Sequence, residues 1–480
     1  MKERAMTINR RNWLKTAGLL GATAGAGALG NLLLPGAPAR AADYKALVCI
    51  FLYGGNDGLN TIVPTDATRY GQYSAVRGAL ALPQASLLGL GSSGYGLHPS
   101  LSGLTTAWSE GRLAPVFNVG PLYQPITKAQ FRAAPDSADL VPDSLFSHSD
   151  QQLLWESSST DSLTRTGWGG RAAEVLGTAN PVISVGGNGR FGLSSLSAPL
   201  VLPEPGATFG AYELGTESWR LTYAPLVARA AALRGIYAEA QDNDLADVYA
   251  GMQRDAFTVS ERLAALIKVK PGQTGSVAAI DNAFAPLISN GDVADGLPRQ
   301  LYQIAKLIAG NATVQGNRQI FFAQLGGFDT HAGQIGGSAI TGTHATLLKE
   351  VGDALGCFYE AMKGLALSDA VTAFTQSDFG RTFTPNNSSG TDHAWGNHHL
   401  VIGGAVNGGL TYGTYPTLVL GGPDDVGVDS WELQGRWIPT SSVDQYAATL
   451  LSWFGADAAQ LDTVLPNLGN FGSARTLGFL

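Results

Sequence analysis

Two cysteines in 480 residues leave no material for a disulfide framework. Cys49 sits in an apolar run that predicts a central strand and Cys357 in a predicted helix, so both read as small buried residues rather than as a bridge. Neither has a base near it in sequence that would make it a nucleophile, and no paired cysteines offer thiolates to a metal. Charge is scarce as well: Asp, Glu, Lys and Arg make up 14% of the chain, against roughly 25% in ordinary soluble domains. Basic residues are outnumbered, 30 Lys and Arg to 38 Asp and Glu, giving a net charge of -8. With no basic cluster in the body, nucleic acid and anionic membrane surfaces are poor partners. Also missing are the GxSxG elbow of a plain serine hydrolase, a phosphate loop (the Gly-rich Thr166–Arg171 stretch lacks the pattern), internal repeats and low-complexity linkers.

What is abundant is glycine, 62 residues, together with Ser, Thr and Asn, which predicts long ordered loops. The N-terminus reads as an address. Asn9-Arg10-Arg11-Asn12-Trp13-Leu14-Lys15 is a twin-arginine pair followed by a mildly apolar run to Leu34, and Ala39-Arg40-Ala41 supplies the small residues of a cleavage site. Residues 1–41 are therefore expected to be a signal peptide handled by the twin-arginine translocase. The alternative is an uncleaved anchor, since the apolar run approaches the roughly 20 residues that span a bilayer; its glycine content and the Ala-x-Ala site favour removal. The mature chain is expected in the periplasm or outside, without stable membrane insertion.

From Tyr44 onwards apolar strand patterns alternate with helical ones. Tyr44–Leu52 is a continuous apolar run ending at Gly54-Gly55-Asn56-Asp57-Gly58, which predicts a strand buried on both faces and a sharp turn. Similar runs stand at 113–119, 319–325 and 370–375. Leu347, Leu348, Val351, Leu355, Phe358, Tyr359 and Met362 recur at helical spacing, as do Leu301, Ile304, Ala305 and Ile308. The expected fold class is α/β, a single doubly wound domain over residues 44–480. An Ala-rich stretch at 224–270 is expected to form an inserted helical layer or lid. Ser442 with Gln445 predicts a capping box ahead of a terminal helix that Gly455 stops.

In open α/β sheets ligands bind beyond the carboxyl ends of the strands. The turns there carry Asp57, then Asp329 and His331 in GGFDTH, then Asp378 and Arg381 in SDFGRT, and the loop beyond adds Asp392, His393, His398 and His399. An aspartate and a histidine two residues apart can chelate one ion from an extended segment. Each residue alone has an ordinary reading: Asp57 as a turn or helix cap, the histidines as hydrogen-bonded core residues. Together, oxygen and nitrogen ligands without cysteine suit a divalent metal, with zinc, manganese, magnesium and calcium all open. Ser147 and His148 precede a helical pattern, so Ser147 is either a simple N-cap or a nucleophile beside a metal, with His148 as ligand or proton carrier. Arg381 either clamps an anion or pairs with a structural carboxylate.

With LYGGNDGLN at 52–60, SHSDQQ at 147–152, GGFDTH at 326–331, SDFGRT at 377–382, DHAWGNHH at 392–399 and SVDQYAATL at 442–450, the chain resembles domain of unknown function family 1501 over nearly all of residues 44–480. These are twin-arginine-exported proteins of the alkaline phosphatase and sulfatase superfamily. The resemblance implies a three-layer α/β/α sandwich with a mostly parallel sheet and a metal site at its carboxyl edge, holding one or two ions. It makes Asp57 a metal-bridging aspartate, Ser147 the nucleophile, Asp329 and His331 ligands of one metal, Asp378 a ligand of the other, and His393 or His398 the late histidine. Where many relatives have Ser-Asp-His-Gly this chain has Ser377-Asp378-Phe379-Gly380, which removes a ligand. The expected activity is metal-dependent hydrolysis of a phosphate or sulfate ester, small or polymeric; the alternative is a non-catalytic secreted binding or scaffold protein on the same fold.

Overall fold

The computed structural model describes residues 43–134, 140–161, 163–207, 222–239, 243–427 and 434–480. The expected signal peptide lies outside them. The main sheet is built from β1 (Lys45–Leu52), β2 (Leu113–Gly120), β3 (Ile183–Ser184), β4 (Leu200–Val201), β5 (Arg318–Leu325), β6 (Val371–Ser377), β7 (Asn397–Gly403) and β8 (Ser441–Ser442). Its main helices are α1 (Ala67–Arg77), α2 (His148–Ser157), α3 (Trp168–Val175), α4 (Ala224–Ala238), α5 (Asp244–Ile267), α6 (Leu297–Ala309), α7 (Thr343–Gly364) and α8 (Val443–Phe454).

The strands run in the order β8-β2-β7-β6-β1-β5-β3-β4. β1 is parallel to both of its neighbours, β5 and β6, while β7 runs antiparallel to β6 and β2. The sheet is thus mostly parallel. Side chains alternate across β1 with the period of a strand. Ala46, Val48, Ile50 and Leu52 join a core with α6 and α7, whereas Leu47, Cys49 and Phe51 join a second core with Trp155 of α2, Trp168 of α3 and Leu450 of α8. Two apolar layers on the two faces of one sheet make a three-layer α/β/α sandwich. Burial on both faces is why β1 reads as an unbroken apolar run.

α8 begins on the predicted box, with the Ser442 hydroxyl accepting from Gln445 N and the Gln445 side chain returning to Ser442 N, and Gly455 ends it. Both cysteines are free, Cys49 buried in β1 and Cys357 on α7. The 224–270 stretch forms α4 and α5. α4 buries no residue, while the far end of α5 buries Leu263, Ala264 and Ile267. Among the described residues no helix is long and apolar enough to cross a membrane.

One expectation about position fails. His398 and His399 were placed in the loop after β6, yet they lie on β7, buried at the centre of the sheet. The polar start of Asn397-His398-His399-Leu400-Val401-Ile402 masks a strand whose apolar character begins only at its fourth residue, Leu400. Tertiary pairing with β6 and β2 supplies what local pattern does not.

Candidate metal centre

The turns after β1, β5 and β6 meet at the carboxyl edge of the sheet. Close approach there depends on glycine. Gly54 has φ 114°, and a Cβ on it would stand 2.3 Å from the backbone nitrogen of Asp329. A Cβ on Gly390 would stand 2.4 Å from the His331 carbonyl carbon. No L side chain fits either place, so these residues let the β1 turn and the 386–393 loop press against the Asp329–His331 segment.

Four side chains converge at this edge: His148 from the start of α2, Asp329 and His331 from the turn after β5, and His393 from the loop between β6 and β7. One donor atom of each lies within 4.8 Å of all the others. Asp329 Oδ1 is 3.3 Å from His148 Nε2, 3.1 Å from His331 Nε2 and 3.5 Å from His393 Nε2, and the last two nitrogens are 2.7 Å apart. Every imidazole presents Nε2 because its Nδ1 is held from behind by an acceptor. His148 Nδ1 donates to Asp378 Oδ2 at 2.7 Å, His331 Nδ1 to Asp392 Oδ1 at 2.7 Å, and His393 Nδ1 to the Phe146 carbonyl at 2.7 Å. A proton on each Nδ1 leaves a lone pair on each Nε2 of the neutral ring. The 2.7 Å contact between His331 Nε2 and His393 Nε2 is of hydrogen-bond length and needs a proton between them; a cation bound there would take that proton's place, facing three Nε2 lone pairs and a carboxylate oxygen.

The spacing about Asp329 fits such an ion, while His331 Nε2 and His393 Nε2, 2.7 Å apart, would have to separate to bind it together. Tetrahedral ligands about 2.0 to 2.1 Å from zinc stand about 3.3 to 3.4 Å from one another, close to the distances between Asp329 and the three imidazoles. The acceptors behind the rings are the outer groups that metal-binding histidines usually have. The His/Asp cluster could therefore hold a metal ion. Hydrogen bonding to Asp378 raises the pKa of His148, burial lowers that of His393, and Asp329, despite partial burial, is held below the usual carboxylate range by Arg381. The cluster keeps a face to solvent, since the side chains of Asp329 and His331 are 45% and 43% exposed.

Asp378 stands behind His148. Its Oδ1 accepts from Gly54 N at 3.1 Å and its Oδ2 accepts from Gln152 Nε2 at 2.9 Å as well as from His148. Phe379 packs against the rings of His148 and His393 with centroids 4.8 and 4.5 Å away. Arg381 is fully buried and donates to the carbonyls of Gly55, Thr391 and Phe328 and, at 2.5 Å, to Asp329 Oδ1. Of its two expected roles, this is pairing with a carboxylate. Ser147 is the N-cap residue of α2, yet its side chain makes no capping bond; its Oγ lies 3.1 Å from Ser149 Oγ.

Asp57 and His398 are not brought into the cluster. Asp57 is completely buried, its two oxygens accepting from Arg77 Nη1 and Nη2 at 2.8 and 2.7 Å, with Gln334 Nε2 donating to Oδ2 at 2.6 Å. Burial alone would raise its pKa, but the Arg77 charge beside it more than offsets this and holds it low. Gln334 passes the order on: its Oε1 accepts from Thr330, between Asp329 and His331, and from Thr391, next to Asp392. His398 Nδ1 accepts from Asn118 N at 3.0 Å, and His399 lies against Trp155 on the other face of the sheet. Burial pushes both histidines down to about 3, so both are neutral. Sequence reasoning gave no role to Arg77, Gln152 or Gln334. None carries a local signal; Arg77 looks like an ordinary basic residue at a helix C-terminus.

Residues 250–425 match the model of a family described as Protein of unknown function (DUF1501). This span contains Asp329, His331, Asp378 and His393 but not His148, Ser147 or Asp57. No curated protein matches the chain.

Proposed function

We propose that the chain is an exported hydrolase of phosphate or sulfate esters, working with one divalent ion held by His148, Asp329, His331 and His393. The observation that supports it most is the convergence of three Nε2 lone pairs on a carboxylate oxygen, each ring locked by an acceptor at Nδ1. Three nitrogens and one oxygen suit zinc or manganese better than magnesium or calcium, which prefer all-oxygen shells. A bound ion would supply Lewis acidity toward an ester oxygen. Ser147 is the nucleophile in this reading: it adjoins His148, its hydroxyl is not used in capping, and it stands where the first N–H groups of α2 favour negative charge. Asp378, Asp392 and the Phe146 carbonyl hold the imidazoles with Nε2 aimed at the cluster. Arg381 holds Asp329 in place.

The test is elemental mass spectrometry of protein purified without chelator, together with assays on a panel of phosphate and sulfate esters. One equivalent of a divalent ion is expected, lost in Asp329→Ala; Ser147→Ala should keep the ion and lose hydrolysis. Unchanged hydrolysis in Ser147→Ala would remove the nucleophile assignment, and a metal-free, folded wild type would remove the centre. A non-catalytic metal-binding protein is the second reading. It is favoured by the engagement of both Asp57 and Arg381, two residues expected at the chemistry, in buried pairing. Full metal occupancy without turnover on any ester of the panel would select it.

A further inference from the structure

Arg381 was the cation expected to meet a substrate anion, and its guanidinium is buried among four protein acceptors. Another guanidinium stands nearby. Arg436 lies over the ring of Phe146, its Cζ 3.9 Å from the ring centroid. The carbonyl of that same Phe146 receives His393 Nδ1, and the next residue is Ser147. One residue thus carries a cluster imidazole on its backbone and an arginine on its ring.

Arg436 has no counter-ion among the described residues. Its Nε is shut off from solvent without an acceptor. The carboxylates whose charge reaches it are Asp392 and Asp425, and neither forms an ion pair with it. Asp425 accepts from the backbone N–H groups of Gly421, Gly427, Gly435 and Arg436 itself, and Asp392 Oδ1 accepts from His331 and Asn386. A half-buried guanidinium stacked on an aromatic ring but lacking an anion bears a desolvation cost with little return from within the protein. Planar forks of this kind bind phosphate and sulfate through paired N–H groups.

We propose that Arg436 is the anion-recognition residue of this site, binding the phosphate or sulfate group of a substrate whose ester lies over the His148, Asp329, His331 and His393 cluster. The inference rests on the hydrolase reading above and assigns that reading its substrate contact. Arg436 acts by binding, leaving bond-making to Ser147. Phe146 links the two, carrying Arg436 on its ring and preceding Ser147 in the chain, and the guanidinium selects anionic over neutral esters.

The experiment is calorimetric titration of inorganic phosphate and of sulfate into zinc-loaded wild type, Arg436→Gln and Arg436→Lys, with metal content measured in parallel. Wild type should bind at least one of the two anions. Arg436→Gln should bind it at least tenfold more weakly with its zinc equivalents unchanged, and Arg436→Lys should recover part of the loss. In 4-nitrophenyl phosphate kinetics the Gln variant should raise KM more than it lowers kcat. Equal anion affinity in wild type and Arg436→Gln would overturn the inference, as would zinc-loaded wild type that binds neither anion. Protein that takes up no zinc yet binds phosphate through Arg436 would refute the metal centre while upholding the anion site, so the two failures are distinct.

Discussion

Asp57 separates the family-based expectation from the observed geometry, and substituting it tests both. Its carboxylate is wholly buried, paired in bidentate fashion with an equally buried Arg77. Removing one partner of such a pair leaves an uncompensated charge in the interior, at a cost of about 3 to 5 kcal/mol. Arg77→Met should therefore destabilise by about that much, and Asp57→Asn by a similar amount. In Asp57→Asn/Arg77→Met both charges are gone, and part of the loss should return, giving a coupling energy of roughly 0.5 to 3 kcal/mol in a double-mutant cycle. The assay is urea unfolding followed by fluorescence, with metal stoichiometry determined for each folded variant. All of them should retain wild-type stoichiometry, because none of the four converging donors is altered. The reasoning is refuted if Asp57→Asn unfolds near the wild-type midpoint and has lost its metal: Asp57 would then be a ligand and the Arg77 pair incidental.

Three further outcomes follow from the same geometry. Asp392→Asn removes the carboxylate behind His331 and should weaken divalent-ion affinity about 10- to 100-fold without unfolding the protein; competition against a chromophoric chelator measures this, and unchanged affinity would deny Asp392 its orienting role. Adding zinc at about 100 times its Kd should stabilise the chelator-treated protein by about 2.7 kcal/mol, and Asp329→Ala should abolish the shift. Asp444, at the buried start of α8, has its pKa pushed up to about 7 by burial. A carboxyl whose folded pKa exceeds its unfolded value contributes stability that is fully present below the unfolded pKa and is lost as pH rises through the folded one. Stability should accordingly fall between about pH 4 and 7 through this group, and Asp444→Asn should raise the unfolding midpoint at pH 8 while changing it little at pH 4. Equal effects at both values would show that Asp444 does not titrate in this range.

The α/β fold was legible because its signals are local. β1 is buried on both faces and so reads as a continuous apolar run; α8 announces itself through Ser442 and Gln445. The rule that ligands sit beyond strand carboxyl ends also led to Asp329, His331 and His393, which the structure brings together with His148. What was not legible is how buried polar groups choose partners. Asp57, Asp378 and Asp329 all follow strand ends and look equivalent in sequence. They differ because Arg77 arrives from a helix 20 residues after Asp57, and Gln152 and His148 arrive from α2 at Asp378. A carboxylate can satisfy burial with a guanidinium, an imidazole N–H or a cation, and only the fold decides which is within reach. His398 and His399 show the same limit from the other side: each is a reasonable ligand by type, but burial holds both neutral in the sheet core, facing aromatic rings. Position in the layers, more than residue type, separates the residues that converge on a common point from those that hold that point in place. By this logic Asp57 belongs to the scaffold, while Arg436, which matched no motif, is a cation that no carboxylate among the described residues pairs with.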